Sequence, residues 1–180
     1  MKPAGTSATL LAYFSRAGEN YWYGRRRDLA VGNTKAAADT IADLAGVEVF
    51  RIEEDEPYPH DFDTTLARNQ REQARDARPL ITGSLPDPDR FDTVLLGCPV
   101  WNNRAPMIMH TFLDGFDMAG KTMYPFATYG IGVGQVFDDY ADLYVGRAVI
   151  GEGLALRGEE VAEAEPDIEH WLTGIGLLQS

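Results

Sequence analysis

Apolar residues follow two rhythms along the chain. Short runs with almost no polar break occupy TLLAYF (Thr9 to Phe14) and TVLLGC (Thr93 to Cys98), the pattern of strands covered on both faces of a sheet. A longer period begins at Thr34, where TKAAADTIADLAG sets Ala37, Ala38, Ile41, Ala42, Leu44 and Ala45 on one broad face. With Asn33 as cap and Gly46 as stop, this predicts a helix. VEVFRI (Val47 to Ile52) alternates more strongly, as a strand at a sheet edge does. The acidic, proline-containing EEDEPYPHDF predicts a loop, and a charged helix is expected from about Thr64 to Asp76, ended by RPL.

Beyond Cys98 the pattern continues in the same alternation. A helix is predicted near Pro106 to Phe116, started by the proline. KTMYPFAT predicts a strand, although Pro125 is awkward in a central one because it has no N–H to give the ladder. The glycine-rich TYGIGVGQ leads to a helix around Val136 to Val145 and a weak strand near Ala148 to Leu156. DIEHWLTGIG then predicts a terminal helix docked through Trp171 and Leu172. Strands alternating with helices imply an α/β fold with a parallel sheet and right-handed crossovers. Ligands of such sheets collect at the carboxyl ends of the strands, so the loops after Phe14, Cys98 and Ala127 become the candidate site.

Composition changes this picture mainly by exclusion. The 180 residues suit one domain, and 44% hydrophobic with 24% charged residues can support a packed core. A net charge of -12 repels nucleic acid and anionic membranes, so neither is an expected partner. From Gln135 to Ser180 only Arg147 and Arg157 oppose ten acids, a face that either steers a basic partner protein or is simply solvated. Cys98 is the only cysteine, so no intrachain disulfide forms; it reads as a small buried hydrophobe, with a redox role as the alternative. The first residues show no cleavable leader and no segment reaches spanning length, which leads to the expectation of a soluble cytoplasmic protein. His60, His110 and His170 lie in separate segments without metal spacing, and no serine-nucleophile elbow is present.

The three loops carry complementary chemistry. Ser15 at a strand end, with Gly32, Asn33 and Thr34 at a helix start, supplies the hydroxyls, free N–H groups and dipole that hold a phosphate without a lysine. GCPVWNNRAP places Trp101 beside two carboxamides, which suits a planar heteroaromatic ring or, alternatively, a turn capped by a core tryptophan. ATYGIGVGQ adds Thr128 and Tyr129 and glycines that let backbone approach a ligand closely.

Taken together, YFSR (13 to 16), the delayed GNT (32 to 34), LGCPVW (96 to 101) and GKTMYPFAT (from Gly120) resemble the flavodoxin-like FMN-binding proteins, in particular a bacterial group with a split phosphate loop. The resemblance spans Thr9 to about Gly134. It implies a three-layer sandwich around a five-stranded parallel sheet of order 2-1-3-4-5, noncovalent FMN, and electron transfer. Under it Ser15, Asn33 and Thr34 hold the phosphate, joined by Arg16 and Lys35. Pro99, Val100, Trp101, Asn102 and Asn103 border the ribityl chain and ring, opposed by Thr128, Tyr129, Gly130, Gly132 and Gly134. The third loop departs from the family's THGGSG-like pattern at Tyr129, Ile131 and Val133.

Residues 17 to 31, AGENYWYGRRRDLAV, are then an insertion within the phosphate turn, tolerable because loop-closure entropy grows only logarithmically. Tyr21, Trp22 and Tyr23 either pin it to the body, with the arginines neutralising local acids, or form a flap with Arg25, Arg26 and Arg27 recognising an anion. Three functional readings stand open: an electron carrier docking with redox partner proteins, an FMN-dependent oxidoreductase passing electrons between a nicotinamide cofactor and a quinone, and a flavodoxin fold that has lost its flavin. None requires an acid-base catalytic residue.

Overall fold

The computed structural model describes residues 8–179; the leader expectation for the first residues lies outside them. The two continuous apolar runs become neighbouring central strands, β1 (Thr9–Tyr13) and β5 (Thr93–Pro99), paired in parallel from Thr9 opposite Thr93 to Tyr13 opposite Gly97. The alternating run forms β4 (Glu48–Arg51) on the outer side of β1, at the sheet edge as its pattern predicts. Across β5 lies β6 (Thr122–Tyr129), and beyond it the short β7 (Val149–Ile150) and β8 (Leu154–Arg157), both parallel to β6. Every pairing in this sheet is parallel, and its order β4-β1-β5-β6-β7/β8 is the expected 2-1-3-4-5 with the fifth position divided between two pieces.

Pro125 lies within central β6 after all, and the divided fifth position shows how. β7 pairs with Thr122 and Met123, β8 pairs from Phe126 to Tyr129, and the break falls opposite Tyr124 and Pro125. The proline thus sits where one neighbour asks for no ladder bond.

Helices cover both faces. On one, α1 (Asn33–Ala45) and α5 (Glu165–Gly174) close a core of Leu11, Tyr13, Ile41, Leu95, Phe126 and Trp171. On the other, Leu10, Phe14, Phe91, Leu96, Phe112 and Tyr140 form a second core that includes residues of α3 (Met107–Gly115) and α4 (Val136–Leu143). The charged helix α2 (Phe62–Ala74) starts two residues before the predicted point, where Asp61 caps it by accepting from Thr64 N–H at 2.7 Å. Asn33 is likewise the first helical residue rather than the cap, a position taken by Gly32 with no side-chain bond.

The insertion is more ordered than an excursion. β2 (Gly18–Trp22) and β3 (Arg25–Leu29) form an antiparallel hairpin of their own, turned by Tyr23 and Gly24 at φ of 45° and 80°. Two successive left-handed residues match the natural twist of paired strands.

Candidate functional site

The amino end of α1 and the carboxyl ends of β1, β5 and β6 converge on a cleft of about 80 Å³. Its floor is the split turn. Ser15 is buried and its Oγ accepts the Lys35 backbone N–H at 3.0 Å, which draws the strand end onto the helix start. The first N–H groups of α1 have no intrahelical acceptors; that of Lys35 goes to Ser15 Oγ, and Asn33 and Thr34, which carry the others, line the cleft. A β-carbon at Gly32 would collide with Ser15 Oγ and lie 2.5 Å from Arg16 O, so only glycine closes the turn this tightly. The hydroxyls of Thr34 and Thr128 meet at 2.7 Å, joining the first loop to the third inside the protein.

Of the residues that the family pattern points to, Ser15, Arg16, Asn33, Thr34, Pro99, Val100, Trp101, Thr128, Tyr129 and Gly130 line this one cleft. Five others stand apart. The Lys35 ammonium turns outward to Asp39 at 2.6 Å, a pairing one helical turn along that holds it away from a phosphate. Asn102 and Asn103 adopt left-handed conformations, at φ of 49° and 69°, and make the turn instead of facing the cleft. Asn102 Nδ2 donates to Gln73 Oε1 at 2.9 Å, and Asn103 O accepts from Gln135 N–H. Gly134 lies against that Asn103 carbonyl, and Gly132 has open space around it.

Arg16 borders the cleft but acts as a staple. Its guanidinium donates to the carbonyl oxygens of Glu19, Pro59 and His60, binding the insertion to the loop before α2. The hairpin has further anchors. Glu19 Oε1 accepts from Phe62 N–H at 3.2 Å, Arg26 pairs with Asp63 and lies 3.9 Å over the Phe62 ring, and His60 Nε2 contacts Asp28 at 2.9 Å. Tyr21 packs on Gly130, where a β-carbon would lie 2.5 Å from its ring. The insertion is thus pinned to the body, with Arg26 against an acid, and it also supplies Asn20 and Tyr21 as cleft walls.

Phe62, Gly158 and Glu159 also line the cleft and escaped the sequence reading, together with Asn20. Glu159 is buried, and one oxygen accepts the Tyr23 N–H at 2.7 Å. The other has no partner among the described residues. Its position was legible in principle, because Arg157-Gly158-Glu159 lies at the carboxyl end of the fifth strand position, where the same rule selected the other loops.

Trp101 stands edge-on to Phe14 at 5.4 Å and to Tyr58 at 4.9 Å, so its ring is fixed before any ligand arrives. Cys98, one strand residue before Pro99, is fully buried. Loss of hydration pushes its thiol up to about 12, and it contacts the Tyr140 hydroxyl at 3.6 Å. It is a protonated core residue, inert at neutral pH. Among the described residues no group of histidine, cysteine and carboxylate side chains could hold a metal ion, and no helix is long and apolar enough to cross a membrane.

A family model described as flavodoxin matches residues 28–175. The chain belongs to the flavodoxin family. Among solved structures, a protein from Bacteroides eggerthii described as a flavoprotein is 28% identical, with a TM-score of 0.75 over 94% of this chain and 98% of that one. A flavoprotein from Lactobacillus acidophilus, solved in complex with FMN, is 20% identical with a TM-score of 0.64, over 88% and 98% of the two chains. Oxidised flavodoxin 1 from Bacillus cereus is 18% identical with a TM-score of 0.51, over 93% and 98%. No curated protein matches. The flavodoxin model begins at Asp28 and so omits most of the hairpin, although the split turn that the hairpin interrupts closes as one cradle.

Proposed function

We propose that this flavodoxin-family chain binds FMN without a covalent bond and serves as an electron carrier. The observation that carries this reading is the cradle formed by Ser15, Gly32 and the amino end of α1, set beside Trp101 and Tyr129 at the switch point of the sheet. A phosphate fits the free N–H groups and the Ser15 hydroxyl, and a planar ring fits the aromatic walls. When bound, FMN supplies reversible electron transfer. The chain's part is to hold the phosphate end, to exclude water with Tyr21 and Trp101, and to set the local charge. With Glu159 buried at the cleft and a net charge of -12, the surroundings disfavour added negative charge on the ligand and so lower its potential. The acidic surface would also steer a basic redox partner protein.

Titrating purified protein with FMN, followed by potentiometric reduction, tests the reading. Saturable binding with shifted flavin bands and two resolved one-electron steps is the expected result. One unresolved two-electron step, with rapid reduction by NADPH alone, would replace the carrier by an oxidoreductase. No binding at tens of micromolar FMN would reject both.

A further inference from the structure

Beside the main cleft, between Trp101 and α2, lies a second and more apolar one, which shares Arg16, Asn20, Phe62 and Trp101 with the first. At about 40 Å³ it lies far below the roughly 300–1,000 Å³ of sites that enclose a whole drug-sized molecule, so it admits only the edge of a small planar group. Asn69, on the inward face of α2, borders it at 1% exposure. Both Oδ1 and Nδ2 of Asn69 are buried without a hydrogen-bond partner among the described residues.

Among the described residues no neighbour bonds this amide, and the nearby donors are already committed. Thr65 Oγ1 is engaged by the carbonyls of Pro59 and Asp61, Arg16 is held by three carbonyls, and Asn20 Nδ2 points to Arg16 O and Gly18 O. A buried donor or acceptor left unpaired loses its hydration with nothing in return, and Asn69 carries one of each. An apolar residue of the same size would remove that cost. Retaining the carboxamide makes physical sense where something brings a matching acceptor and donor.

We propose that Asn69 recognises a planar group whose edge carries a carbonyl and an N–H side by side. A quinone offers acceptors only and would leave Asn69 Oδ1 unpaired. Two ligands present the required edge: the pyrimidine side of a flavin in the adjoining cleft, and the carboxamide of a nicotinamide ring. The first source rests on the function proposed above, and the second does not.

Asn69→Leu, which removes the polar pair at similar volume, separates the sources. FMN affinity is read by quenching of flavin fluorescence. Affinity for nicotinamide mononucleotide is read by tryptophan fluorescence on FMN-loaded and FMN-free protein, with nicotinic acid mononucleotide as the control lacking the N–H donor. A loss of threefold or more in FMN affinity assigns Asn69 to the flavin edge. The same loss for nicotinamide mononucleotide, with wild-type preference over the acid control, assigns it to a second ligand. Changes below threefold in both overturn the proposal and leave Asn69 to an ordered water. If wild-type protein binds no FMN, the carrier reading fails, and the nicotinamide arm on FMN-free protein alone decides: preference for the amide sustains the proposal and its absence ends it. Asn69→Asp, which keeps acceptors but loses the donor, gives the same readout should the leucine variant fold poorly.

Discussion

Replacing Thr34 and Thr128 by valine, singly and together, tests whether the first and third loops are joined as the structure shows. Their hydroxyls meet at 2.7 Å, at 1% and 4% exposure. Either single change deletes the bond and strands the other hydroxyl, at about 1–3 kcal/mol. Both residues are buried but border the cleft, so a small local shift would admit water to the stranded group and the cost should fall towards the lower end of that range. At about 2–4 °C per kcal/mol for a chain of this size, each single variant should lose about 2–6 °C in Tm. Changing both exchanges a hydroxyl pair for a methyl pair and should cost little more than one change alone. The cycle should therefore show a coupling of about 1 kcal/mol, measured by urea unfolding without FMN. Additivity of the two single effects within about 0.5 kcal/mol would refute the bond.

Two further outcomes follow from the site. Gly130→Ala should drive the Tyr21 ring off the third loop and free the hairpin, seen as faster tryptic cleavage at Arg25, Arg26 and Arg27 with a Tm close to wild type; an unchanged cleavage rate would count against the contact. Cys98 should resist alkylation by iodoacetamide at pH 8 and react only after unfolding, because burial holds its thiol at about 12; labelling of native protein at the rate of free cysteine would contradict that burial.

The frame of the fold was legible because its signals are local. Uninterrupted apolar runs marked β1 and β5, a broad apolar face marked α1, and the loops after the strand ends named most of the cleft. What escaped depends on contacts far apart in the chain. Phe62 and Asn20 reach the site because the hairpin folds against the start of α2, whereas Glu159 follows the end of β8 and only its bond to Tyr23, 136 residues away, was beyond local reading. Asn102 and Asn103 stand outside the cleft lining for a different reason. Paired asparagines serve equally as ligand contacts and as left-handed turn residues, and here the turn prevailed. Lys35 could have been placed outside from spacing alone, since Asp39 follows one helical turn later.

The break opposite Pro125 bears on how copies of this chain meet one another. A long, flat outer strand is a template for pairing with a second molecule. Here the outer position offers only two residues in β7 and four in β8, with Gly151 and Gly153 between them. At the opposite rim, β4 is four residues long and carries Glu48 and Arg51 exposed. Neither border can seed a continuous intermolecular ladder, so a concentrated solution is protected from edge-to-edge aggregation by the same interruption that accommodates the proline. Filling the gap with strand-forming residues would remove that protection.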